Sequence, residues 1–374
     1  MSGSADSRSL AAPRAPRDPT DSIVSVAAHS HGRVNPEVAA LLRTIGRGAR
    51  GSRGLSIEQA QILMGWLLRR ELSDAQIGGA LMALRMKGES AEELEGFTRA
   101  VRAALPLIAP RTRRPVVVIP SANGARRLPN QVPLLAALLR EQGVPVLVTA
   151  ALPDDPARLP TAQLWAALGM PLASTPTQAQ GLLEQGEAVL LPLAALSPEL
   201  DTLLQWRGVL GVRNAGHSIV KLLNPLETPS LLVTGYTHPD YAVLMRDVLQ
   251  GLRQPALLLR GCEGEAVAHP HRDAERIGLF ADGSAQTWPP GAAFSPAAEL
   301  PDGLDLARSS AWIHAVMNGH KPPPAPLVRQ LACIRAMHDS LAAGPAARPQ
   351  PRAETQSTQS SDPSLSGVRH AHST

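Results

Sequence analysis

Tyrosine occurs twice, phenylalanine three times and tryptophan five times in 374 residues, so aromatics make up only 3% of the chain. Binding that relied mainly on stacking bases against rings would need more of them. Cysteine is equally scarce. Cys262 and Cys333 cannot form a disulfide framework, and their apolar surroundings suit buried free thiols. Lysine is nearly absent, with only Lys87, Lys221 and Lys321, so arginine supplies almost all positive charge. No apolar run approaches a membrane-spanning length, and the N-terminus lacks the apolar core of a signal peptide. These absences argue against a secreted scaffold or a membrane protein. They lead to the expectation of a soluble chain in the reducing cytoplasm with no membrane partner.

What is present is enough apolar material for a sizeable core, 44% of residues, and an uneven distribution of charge. The formal net charge is +4, yet residues 36–130 carry 15 Lys and Arg against 8 acids, a net +7. Concentrated positive charge of this kind suits a polyanionic partner. Arginine also suits bidentate contacts to phosphate. Residues 1–35 and 344–374 are rich in Ser, Ala, Pro and Arg without periodicity, and read as disordered tails.

Residues 36–110 read as a small helical domain. Ser56–Gln59, Ser73–Gln76 and Ser90–Glu93 each have the spacing of a capping box, in which serine and Gln/Glu satisfy orphan backbone donors reciprocally. Apolar stripes follow each: Ile57, Ala60, Leu63 and Met64; then Ile77, Ala80, Leu81 and Leu84; then Leu94, Phe97 and Val101. With a helix from Pro36 to about Ile45 this predicts a four-helix bundle. Gly78-Gly79 within the third helix implies a closely approaching neighbour.

Residues 111–343 have a different texture. The apolar runs Val116–Ile119, Val144–Thr149, Ala188–Leu191, Leu231–Thr234 and Ala256–Leu259 alternate with helical stretches at 132–142, 162–168, 199–222 and 240–250. Fully apolar strands separated by helices predict a mostly parallel sheet covered on both faces. The fold class expected is α/β, a helical-bundle domain followed by a larger α/β domain.

The run Asp74-Ala75-Gln76-Ile77-Gly78 and the run Ala83-Leu84-Arg85-Met86-Lys87-Gly88-Glu89 resemble the N-terminal helical domain of anthranilate phosphoribosyltransferases, of glycosyltransferase family 3. Gly211-Val212-Arg213-Asn214 and Leu223-Asn224-Pro225-Leu226 resemble the segment, here about 197–224, where that family's chain returns to the helical domain. The resemblance spans residues 36 to 340 in order. It implies the nucleoside phosphorylase/phosphoribosyltransferase type of fold and a homodimer formed through the helical domains.

The family's catalytic elements do not carry over. After its first α/β strand the family has a glycine-rich loop whose backbone N–H groups cradle a diphosphate. Here the stretch is Ile119-Pro120-Ser121-Ala122-Asn123-Gly124-Ala125-Arg126-Arg127, with one glycine. Ser121, Asn123 and Gly124 are what remains of a phosphate loop. Leu147-Val148-Thr149-Ala150 stands where a Lys-His-Gly element is expected. Only Glu263 and Glu265 survive near the expected magnesium-binding acid pair. Loss of cradle and metal together removes what neutralises a departing diphosphate. The Ile-Pro-Ser-x-Asn-Gly-Ala-Arg loop and Trp206-Arg207 look like a non-catalytic branch of the class, pseudoenzymes that bind DNA and RNA without sequence preference. That resemblance implies no catalytic residues, no metal site and no cofactor. The alternative is an active phosphoribosyltransferase acting on anthranilate or a related aromatic acceptor, and only then does magnesium enter.

Several basic groups could hold a phosphate backbone. Arg43, Arg47, Arg50 and Arg53 interleave with glycines on and after the first helix, a pattern that reads equally as a solvated connector. Arg85 and Lys87 end the third helix, where cations also suit the helix dipole. Arg126 and Arg127 follow the degraded loop. Arg207, Arg213 and Lys221 lie along 199–222; on one continuous helix at ~100° per residue only the last two come near one face. His217, one turn after Arg213, reads as a satisfied buried imidazole. Asp154-Asp155 read as a turn and His269-Pro270-His271 as structural.

Overall fold

A computed structural model describes residues 36–343 except 49, 153–154, 156 and 292–299. Both expected tails, and Asp154, lie outside the described residues.

The described residues begin with four helices, α1 (Pro36–Ile45), α2 (Ile57–Leu68), α3 (Asp74–Lys87) and α4 (Ala91–Ala103). All three capping boxes form. At α2, for example, Gln59 N–H donates to Ser56 Oγ at 3.2 Å and Ser56 N–H to Gln59 Oε1 at 3.1 Å. In the box of α4, Glu93 does more. Its fully buried carboxylate accepts from Ser90 N–H at 2.8 Å, from Leu55 N–H at 3.0 Å and from Lys87 Nζ at 2.6 Å. One side chain thus ties the α1–α2 link and the end of α3 to the start of α4.

The close helix contact is not where the paired glycines suggested it. A methyl group at Gly79 would meet open space, and one at Gly78 only an ordinary 3.7 Å contact with Leu210. The tight approach is at Gly96 of α4, where an added Cβ would run into the Ile57 carbonyl and lie 2.7 Å from the Ala60 methyl. α2 and α4 consequently form the densest helix pair of the bundle.

The second region is built on a seven-stranded sheet in the order β3-β2-β1-β4-β5-β6-β7. Its strands are β1 (Val116–Ser121), β2 (Val146–Ala150), β3 (Ala188–Pro192), β4 (Ser230–Tyr236), β5 (Ala256–Arg260), β6 (Arg276–Leu279) and β7 (Ala285–Trp288). The first five pair in parallel, as expected, and β6 and β7 extend the edge antiparallel. These short last strands, with β7 largely exposed, carry too little apolar signal to stand out in the sequence.

Side chains alternate between two cores. Val116, Val118, Leu147 and Leu232 face the side shared with the helical bundle, whereas Val117, Ile119, Val146 and Val233 face the other. The second face is covered by α5 (Val132–Glu141), α6 (Thr161–Ala167), α12 (Leu306–Met317) and α13 (Ala325–Ala343). The first face carries α7 (Pro176–Glu184), the single turn α8 (Leu193–Leu196), and α11 (Asp240–Gly251). The expected continuous helix over 199–222 is two helices, α9 (Pro198–Leu210) and α10 (Gly216–Leu222). The break at Gly211 places Arg213 in the link between them, so its direction cannot be reckoned from Arg207 by helical angle. α9 packs on α2, and α10 packs on α4, β1 and β4, which fixes the bundle against the sheet.

If α2–α4 packing is as tight as this, Gly96→Ala lowers stability by about 1–3 kcal/mol through overpacking. A urea denaturation midpoint well below that of the parent checks this; an unchanged midpoint contradicts it.

Candidate functional site

In a parallel sheet, ligands bind beyond the carboxyl ends of the strands, at the point where strand order reverses. Here the chain steps outward from β1 through β2 to β3, then returns to β4 on the other side of β1. The ends of β1, β4 and β5 therefore open into one crevice. The loop after β1 (residues 121–127) meets the loop after β5 (residues 261–267) across it.

The contact between these loops is made by two carboxylates. Glu265, 2% exposed, accepts from Asn123 N–H at 2.7 Å and Gly124 N–H at 2.6 Å through Oε1, and from the Ser121 hydroxyl at 2.5 Å through Oε2. Glu263 accepts from Arg126 N–H at 2.7 Å and Arg127 N–H at 2.9 Å. All four oxygens are thus engaged by the residual phosphate loop. Charge-assisted bonds of this kind are the strong class. A tight turn presents them: Glu263 is held at φ 53, an uncommon conformation for a side chain larger than glycine. Cys262 beside it is buried, and burial together with the Glu263 charge pushes its thiol up to about 12.

Arg158 clamps the arrangement from outside. Its Nη1 donates to the carbonyls of Gly124 and Glu263, both at 3.2 Å, and its guanidinium lies 3.7 Å from Asp155. Asn123 donates to the Gly264 carbonyl and accepts from Arg213 Nη2, both at 2.9 Å. Together Arg126, Arg127, Arg158, Arg207 and Arg213 line an open cleft of about 510 Å³ whose acids, among the described residues, are Asp155 and Glu263. Arg126 and Arg127 are exposed and neither guanidinium is in a salt bridge among the described residues.

A smaller pocket of about 230 Å³ adjoins the cleft through Arg213, Thr237 and His238. It lies between the end of α3, the start of α10, the end of β4 and α11. Lys221 lies within it, and burial pulls its ammonium down to about 8, against the raising influence of Glu265 and with Arg213 and Arg158 lowering it further. Glu89 faces the same space with its pKa raised, first by burial, although Arg85 and Lys87 oppose this.

The basic residues singled out in the sequence fall into three groups. Arg126, Arg127, Arg207 and Arg213 meet in the cleft, while Arg85 and Lys221 line the adjoining pocket. Arg43, Arg47, Arg50 and Arg53 are exposed on the far bundle and line neither space; Arg43 and Arg53 bond to nearby backbone carbonyls. Lys87 is committed to Glu93, with its side chain 12% exposed, and is a structural tie. His217 lines the pocket half-buried, near Asn214 N–H at 3.3 Å, and is not enclosed in the core. His269 accepts from His271 N–H at 3.1 Å; burial pulls its imidazole down to about 4. Among the described residues no group of three His, Cys, Asp or Glu could hold a metal, and no helix is long and apolar enough to cross a membrane. Sequence reasoning missed Arg158, a single arginine after β2 whose role exists only once that loop folds beside 121–127.

The architecture is a phosphoribosyltransferase-type fold, a helical bundle joined to a mostly parallel sheet with a crevice at the strand ends. Residues 39–105 match the helical bundle domain of the glycosyl transferase family. The chain is 34% identical to the Escherichia coli protein YbiB over 299 residues, covering 78% of this chain and 92% of that protein. It is 27% identical over 271 residues to the anthranilate phosphoribosyltransferase of Desulforudis audaxviator, covering 72% of this chain and 74% of that enzyme. Among solved structures it is similar to an anthranilate phosphoribosyltransferase from Thermus thermophilus, with a TM-score of 0.65, 22% identity, and coverage of 82% of this chain and 91% of that one. The chain belongs to one family with YbiB, and its residues 39–105 carry the helical bundle domain of the glycosyl transferase family.

Replacing Glu265 by alanine would strand the Asn123 and Gly124 amides in a buried site, at about 1–3 kcal/mol for each unpaired donor. The expected outcome for Glu265→Ala is a lower melting temperature that inorganic phosphate partly restores, beyond its general stabilising effect on the parent. Equal phosphate effects on both proteins would show that the loop is not an anion cradle.

Proposed function

We propose that this chain is a catalytically degraded phosphoribosyltransferase-like homodimer that binds DNA and RNA in the cytoplasm without sequence preference, through backbone phosphates. The observation that carries this reading is the cleft, where five arginines surround a loop whose own donors already hold Glu263 and Glu265. Guanidinium groups facing an open cleft suit a chain of phosphates, and Asn123, which lines the cleft, has its amide bonded to the Gly264 carbonyl and to Arg213.

A magnesium–diphosphate group does not fit this arrangement. The carboxylate oxygens that would approach a metal point into N–H and hydroxyl groups, and the N–H groups that would approach a diphosphate point into carboxylates. The reading therefore includes no catalytic residue and no cofactor. Self-association through the helical elements is supported by Met86 at 79% and Val209 at 76% exposure, large apolar side chains left uncovered on α3 and α9. A dimer would double the basic surface offered to a long strand.

Phosphoribosyl transfer to anthranilate is the second reading, favoured by the extent of similarity to anthranilate phosphoribosyltransferases. Incubation with phosphoribosyl diphosphate, magnesium and anthranilate, followed by product fluorescence, separates the two. Appreciable turnover would replace the first reading by the second.

Anisotropy titrations with unrelated single and double strands at several salt concentrations test the first reading directly. On duplex DNA the salt slope should correspond to roughly four to eight phosphates per dimer at about −0.9 each. Charge reversal at Arg126 and Arg127 should weaken binding to every sequence alike. No binding at low salt would rule the reading out, and a sequence-selective loss would contradict phosphate-led recognition.

A further inference from the structure

The chain contains two tyrosines in 374 residues, and both line the pocket beside the arginine cleft. Tyr236 ends β4 and Tyr241 lies in the first turn of α11, so two elements each present a ring to one small space. For a chain this poor in aromatics the coincidence is informative.

The same pocket holds a cation with little to neutralise it. Lys221 donates to the Gly235 carbonyl at 3.4 Å, a long contact, and forms no salt bridge among the described residues. The charge acting on it most favourably is that of Glu265, whose oxygens are already filled by the loop. A half-buried ammonium without a carboxylate in contact is costly unless an anion comes to it. Arg85 and Arg213 add positive charge to the same walls, and Glu89 is the pocket's one acid among the described residues. Rings together with a lysine that touches no carboxylate fit a planar group that carries a phosphate.

The pocket also shares Arg213, Thr237 and His238 with the cleft. A strand following the arginines would pass its mouth. We infer that this pocket takes one unpaired nucleotide of a strand lying in the cleft, its base against Tyr236 and Tyr241 and its phosphate near Lys221 and Arg213. The inference rests on the nucleic-acid reading above and adds a structural preference to it. A base still paired in a duplex cannot enter, so single strands gain a contact that duplexes lack.

The test uses the full chain and short single strands carrying a fluorescent adenine analogue at one position, compared with duplexes of the same sequence. Binding of the single strand should change the analogue's emission in step with anisotropy, and the duplex should leave it unchanged. Tyr241→Leu and Lys221→Met should abolish the emission change and weaken single-strand binding about five- to tenfold. Duplex binding by Tyr241→Leu should match the parent, which also shows that this variant remains folded. Tyr241→Phe keeps the ring and should keep the signal. A single strand that binds without any emission change overturns the inference while the nucleic-acid reading stands. Equal losses for single strands and duplexes in Tyr241→Leu also overturn it. If neither form of nucleic acid binds at low salt, the underlying reading fails and the inference with it.

Discussion

A carboxylate held by the loop that follows β1 is the contact on which the rest of this site depends. Glu265 cannot be buried as a charge without strong donors. The Asn123 and Gly124 amides, equally buried, cannot be left without an acceptor. Each therefore compels the other. The contact joins the ends of β1 and β5, two strands separated in the sheet by β4. Glu263 extends the same logic by one more pair of amides, and Arg158 fastens both loops by their carbonyls.

This hydrogen-bonded closure of loop on carboxylate changes what the crevice can do. Backbone amides at a strand end ordinarily form an anion site because their donors face solvent. Here those donors are occupied by the chain's own carboxylates, and the positive charge of the crevice is carried by side chains. Arg126 and Arg127 keep their amides on Glu263 while their guanidinium groups face the cleft. The same residues that close the inner site thus supply the outer one. An enclosed cradle selects one small anion by shape, whereas an open row of guanidinium groups accepts a repeating one. The adjoining pocket, with its two rings and its poorly compensated lysine, is the part of the crevice that still has the enclosure of a small-molecule site.

The architecture was legible in the sequence because it rests on local signals. Serine and Gln/Glu three residues apart formed capping boxes at all three expected positions, and five apolar runs became the parallel strands of the sheet. What failed did so for identifiable reasons. Gly78-Gly79 suggested a close contact that Gly96 makes instead, since a glycine's need for space depends on a partner helix that composition does not reveal. A single helix over 199–222 was expected because apolar spacing continues through Gly211, where the backbone turns. Lys87 looked like a surface cation, but the fold buries Glu93 beside it. At the site, the loop, Arg126 and Arg127 could be found from the sequence. Arg158 and the engagement of Glu263 and Glu265 could not, because Arg158 lies 34 residues from Gly124 and 105 from Glu263, and the two carboxylates lie 136 to 144 residues from their loop partners.

The most direct test of this account is a crystal of the protein soaked with phosphoribosyl diphosphate and magnesium. The account predicts the Glu265 carboxylate still seated on the Asn123 and Gly124 amides, with no diphosphate on that loop. A sugar diphosphate bound there with its metal, and Glu265 displaced, would contradict it.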